Sequence, residues 1–181
     1  EKPDNSLDKF NDGPFAPPGV YQVQLRVEDQ THTRSFELLK DPRVDATQED
    51  LDAQFELWRD IRDKISETHE GVDRLRRIQQ QVEGWKVRMS EIDHIKKEEI
   101  SEAADGLLVK LKAIEKELIQ TEPEAETGRL RMPVRLNTKL ADLTSLASSA
   151  DAAPPKQAYD VFEHLSALVD EQLTGLQSLI E

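Results

Sequence analysis

The chain has no cysteine, so disulfides and thiolate metal sites are excluded. It has few aromatics, and they account for 5% of residues. Most of them fall on apolar stripes, which leaves little of the exposed stacking surface that single-stranded nucleic acid needs. No run of about 18 apolar residues occurs, so nothing in the sequence reads as a bilayer-spanning helix. Bases are in deficit: 37 acids against 24 bases leave a formal charge of −13, which opposes a general affinity for nucleic acid or anionic membrane. The charge is uneven. Residues 59–99 hold as many acids as bases, whereas Glu115 to Glu126 is strongly acidic. The chain opens at Glu1, not Met, and shows no signal peptide, which reads as a processed product or an excised piece.

What is present is an apolar residue every three or four positions over about forty residues. The series is Leu51, Phe55, Trp58, Ile61, Ile65, Thr68, Val72, Leu75, Ile78, Val82, Trp85, Met89 and Ile92, with Thr68 as its weak member. No strand carries that period. Thr47 is placed to cap the helix, and Glu49 and Asp50 sit well against its positive end. Gly71 and Gly84 each weaken it by about 1 kcal/mol, but the stripe keeps phase through both, so one helix is predicted.

A second helix is predicted over 97–121, with Ile100, Ala104, Leu107, Leu111, Ile114 and Leu118 on one face. Glu122-Pro123 stops it, and 122–133 is predicted to be a loop crossing the bundle end. A third helix after Pro133 presents Leu136, Leu140, Leu143 and Leu146. Pro154 and Pro155 start a fourth, striped by Tyr159, Phe162, Leu165, Val169, Leu173, Leu176 and Ile180. The fold class is mainly α, a four-helix bundle with one very long helix. Phe55, Trp58, Leu75, Leu107, Leu111, Leu140, Phe162 and Leu165 are the predicted core.

Residues 1–19 are rich in proline and glycine and read as linker. Then Tyr21, Val23, Leu25 and Val27 alternate with polar residues, Asp29-Gln30 is a plausible turn, and Thr31 to Leu39 reads as a second strand. A lone hairpin is marginal in water. Either it packs on the helices, or it is the last two strands of a β-sandwich. The division is therefore 1–45, linker and hairpin, and 46–181, helical bundle.

Chemistry is sparse. Glu91-x-x-His94 is half of a di-metal carboxylate signature whose other pair is missing. His69 with Asp73, and Asp160 with His164, have helical i,i+4 spacing and read as exposed ion pairs. No phosphate loop, H-E-x-x-H or G-x-S-x-G occurs. Arg74, Arg76 and Arg77, and Arg129, Arg131, Arg135 and Lys139, form small basic clusters that read as partners for the acidic 115–126 segment. Trp58, Trp85, Phe55, Tyr159 and Phe162 read as core aromatics, not a cofactor pocket. No catalytic, cofactor-binding or metal residue is assigned, and no cofactor is expected.

The segment Ala16-Pro17-Pro18-Gly19-Val20-Tyr21-Gln22-Val23-Gln24-Leu25 looks like the strand that ends a FlgD-like, immunoglobulin-type β-domain. Asp41-Pro42-Arg43-Val44 follows, then the run from Thr47 to Phe55, Pro133 to Leu140, and Ser149 to Pro154. In this order they resemble the C-terminal end of large bacterial sortilin-like (VPS10-type) BNR-repeat proteins, often labelled glycosyl hydrolases or sialidase-like. The resemblance spans residues 13 to 181. It implies that the hairpin is the remnant of an Ig-like sandwich, that a β-propeller precedes it, and that the parent is exported, either extracellular or at the periplasmic or cell surface. It also implies that any glycosidase site lies on the propeller, so this chain is not itself an enzyme. The expected role is docking, spacing or assembly, with the upstream propeller and β-domain, another protein or a second copy as partners, and without nucleic acid or membrane insertion.

Overall fold

The computed structural model describes residues 13–92, 95–121 and 133–181. Two strands, β1 (Gly19–Val27) and β2 (Gln30–Leu38), form an antiparallel hairpin. Four helices follow: α1 (Gln48–Ser90), α2 (Lys97–Leu118), α3 (Leu136–Ala147) and α4 (Lys156–Ile180). The loop expected at 122–133 lies, apart from its last residue, outside the described residues.

α1 is a single helix of 43 residues, about 65 Å long at 1.5 Å per residue. Thr47 caps it as the sequence suggests, within a reciprocal box. The Asp50 N–H donates to the Thr47 hydroxyl at 3.2 Å, and the Thr47 N–H donates to the Asp50 carboxylate at 2.9 Å. The Thr47 backbone N–H, and then its side chain, hold the Asp50 carboxyl below the usual aspartate range. Thr68, the weak stripe member, is fully buried, and its hydroxyl is satisfied by donating to the Lys64 carbonyl at 2.8 Å.

α2 runs back along α1. Arg76 Nε donates to Glu115 Oε1 at 2.7 Å, and Lys86 pairs with Asp105. α2 ends at Leu118, three residues before the expected boundary, because Ile119 is already extended. α3 then covers the lower part of α1: Gln54 Nε2 donates to the carbonyls of Ala147 and Ala150 at 2.9 and 2.7 Å, closing the last turn of α3. α4 lies parallel to α1, as the Lys64–Asp170 ion pair and the contact of Gly71 with Leu173 show. At Gly71 the helices approach so closely that a Cβ would sit 2.3 Å from Leu173 Cδ2.

Buried Leu57, Ile61, Leu118, Leu140, Leu165 and Val169 form the main core, which Leu75, Leu111 and Leu176 continue upward. Of the expected core, Trp58, Leu75, Leu111, Leu140 and Leu165 are buried, while Phe55, Leu107 and Phe162 are only partly so. Each of the four stripes fails at an end. Trp85 is 61% exposed, and Ile92, the last of the stripe, lies just past the end of α1 and is 51% exposed, so the upper end of the rod is not core. Ile100 is exposed at the start of α2, and Tyr159 and Ile180 are exposed at the two ends of α4. For Trp85, Ile92 and Ile100 the cause is reach: α3 and α4, with 12 and 25 residues, extend about 18 and 37 Å. In α3, Leu146 is exposed and Ala147 is buried in its place.

The hairpin turn is Glu28-Asp29, one residue earlier than expected, with Glu28 at φ 52°. Its attachment to the bundle is slight. Phe15 meets Trp58 edge-on at 5.4 Å, and Gln48 Nε2 donates to the Pro18 carbonyl at 3.0 Å. Of the two explanations for the hairpin, packing on the helices is not what the fold shows: Val23, Leu25, Val27 and Phe36 are all more than half exposed.

Candidate functional site

The alternation in β1 sends Tyr21, Val23, Leu25 and Val27 to one face of the hairpin. The register sets Phe36 beside Tyr21, with the rings stacked at 5.9 Å, and Leu38 beside Gly19. The other face carries Gln22, Gln24 and Arg26 against Ser35, Thr33 and Thr31. The Tyr21 hydroxyl donates to the Pro17 carbonyl at 2.5 Å, fixing the chain where it enters β1. On the same face β2 sets Arg34 beside Val23 and His32 beside Leu25, so the face is apolar along β1 and mixed along β2, and no described residue covers it.

A second uncovered surface lies at the far end of the rod. Val82, Trp85, Met89, Ile100, Ala104 and Leu107 line a groove of about 340 Å³ between α1 and α2. The Arg88 guanidinium lies 4.6 Å over the Trp85 ring, and Lys97 donates to the Ser90 carbonyl at 2.6 Å. Among the described residues the polar members of the lining are Lys86, Ser90, Lys97 and Ser101, with Lys86 paired to Asp105, and no carboxylate or imidazole joins them.

The sequence candidates for chemistry do not converge. Glu91 is exposed at the end of α1, and His94 lies outside the described residues. Asp160 is taken by Lys156, whose ammonium is 2.7 Å from both carboxylate oxygens, and His164 is exposed. His69 and Asp73 gain no third ligand, since no group of three His, Cys, Asp or Glu is placed to hold a metal among the described residues. The basic clusters are partly used within the chain. Arg76 meets Glu115, to which Gln79 Nε2 also donates at 3.3 Å, and Arg135 lies 3.5 Å from Glu117. Arg129 and Arg131 lie outside the described residues. Trp58 is a core aromatic, whereas Trp85 is not. The exposure of Trp85 follows from helix lengths: α3 and α4 are too short to reach it, and α2 alone runs beside it among the described residues. An exposed strand face or unpaired edge is what the sequence predicts for a hairpin at about 20–39 without sheet partners, and Val23, Leu25, Val27 and Phe36 are exposed.

No helix among the described residues is long and apolar enough to cross a membrane. Compared with known proteins, the chain matches no family model, no curated protein and no solved structure.

Proposed function

We propose that this chain is a non-catalytic helical module for docking, spacing or assembly within a larger exported protein, with the hairpin as its docking end. The observation that carries the reading is the hairpin's apolar face, which the chain's own helices leave open although its strands are nine residues long. An apolar patch of this kind on an ordered element marks an interaction surface. The stiff α1 rod supports the spacing part. The parent as a sortilin-like propeller protein, the hairpin as the end of its Ig-like domain, and the extracellular or periplasmic location rest on the motif resemblance alone. The second reading, a supporting piece of a glycoside hydrolase whose site lies on that propeller, rests on the same motifs.

Charging the hairpin face tests the proposal. Leu25→Asp is expected to leave helical circular dichroism and the melting midpoint unchanged while lowering the binding of an apolar dye such as ANS to what the groove beside Trp85 retains. A lowered midpoint with unchanged dye binding would mean that the face is covered within the chain, and the docking reading would fail. Hydrolysis of aryl glycosides by the purified chain would overturn its non-catalytic part.

A further inference from the structure

We infer that the free edge of β1 pairs antiparallel with β1 of a second copy of this chain, about a two-fold axis at Val23. The inference rests on the hairpin being the docking end and names its partner. The two-residue turn makes Val27 and Gln30 a hydrogen-bonded pair. Alternation then turns the backbone N–H and C=O groups of Val20, Gln22, Gln24 and Arg26 toward the free edge of β1, and those of Thr31, Thr33, Ser35 and Glu37 toward the free edge of β2.

A two-fold axis at Val23 overlaps the whole of Gly19–Val27 with its copy. It sets Gln22 opposite Gln24 and Val20 opposite Arg26, so no like charges meet. On the apolar face it sets Val23 against Val23 and Tyr21 against Leu25, pairs that stabilise neighbouring strands. The corresponding axis for β2 lies at Arg34 and would place two guanidinium groups directly opposite one another, which is destabilising. Arg34 and Glu37 also give β2 the charges typical of an edge that stays unpaired. Antiparallel pairing carries the two bundles to opposite ends of the joined sheet, because each bundle follows the Leu38 end of its own hairpin. Two marginal two-stranded ribbons become one four-stranded sheet, whose combined apolar face stays open for a further partner.

The test uses the full chain in sedimentation equilibrium, with amide exchange read at the strand residues. A concentration-dependent dimer is expected, with the Gln22 and Gln24 amides protected in step with dimerisation and those of Thr33 and Ser35 not. Gln24→Pro removes an outward N–H without touching the hairpin's own ladder and is expected to raise the dimer dissociation constant about tenfold or more. Thr33→Pro, on the opposite edge, is expected to leave it unchanged. The pair Gln22→Glu plus Gln24→Glu places carboxylates opposite one another with the backbone intact, and should also give monomers. A dimer that survives both changes uses another surface and overturns the inference. A monomer with protected Gln22 and Gln24 amides has the edge filled from within the chain and overturns it too. A monomer with open amides overturns the pairing alone, while dye binding that Leu25→Asp lowers would keep the docking end.

Discussion

From Phe55 to Leu75, α1 is flanked by α3 below, by α2 above and by α4 throughout; from Val82 onward α2 alone accompanies it among the described residues. The stripe on α1 is equally regular in both halves. In the lower half it is core, with Ile61 and Leu75 fully buried; in the upper half Trp85 and Ile92 face solvent. Periodicity therefore reports which side of a helix can be buried. Whether that side is buried depends on the lengths and order of the other helices.

Truncation sharpens the contrast most. Leu140→Ala, at a fully buried site facing the lower half of α1, should cost about 2–5 kcal/mol. Trp85→Ala should cost less than about 1 kcal/mol, chiefly its contact with Arg88. Chemical denaturation of both variants checks this, and equal losses would erase the distinction between the halves.

The two glycines of α1 give a smaller effect of opposite sign. Gly84 has open space at its missing Cβ apart from an Arg88 nitrogen 4.0 Å away, so Gly84→Ala should stabilise by about 0.5–1 kcal/mol. At Gly71 the same change drives a methyl into Leu173, and the overpacking should outweigh the helix gain, for a net loss of about 1 kcal/mol. Thermal melting should therefore move in opposite directions. Stabilisation at both sites would mean that the α1–α4 contact is loose.

The smallest effect concerns the start of α1. Asp50 has a folded-state pKa depressed by the Thr47 cap. Its contribution is therefore present above the unfolded value, about 3.9, and is lost as the pH falls through the folded value. Asp50→Asn should flatten the acid limb of stability below about pH 4. Stability curves of the wild type and the variant that run parallel over that range would remove the cap from the account.

The legible parts of this protein were local. The Thr47 cap, the unbroken 43-residue helix and the alternating hairpin follow from side-chain spacing and backbone hydrogen-bonding needs, which act within a few residues. The absence of a chemistry-bearing motif was also local information, since the lone Glu91–His94 spacing lacks the second pair that such a site requires. Tertiary structure decided the rest. It placed Ala147, not Leu146, in the core, and set Gly71 against Leu173. It also brought Arg76 to Glu115 across 39 residues and left the hairpin face and the end of the rod uncovered. The physical reason is that burial is a property of pairs of surfaces. A sequence marks one apolar face at a time, and only the packed fold determines which faces meet and which remain for a partner.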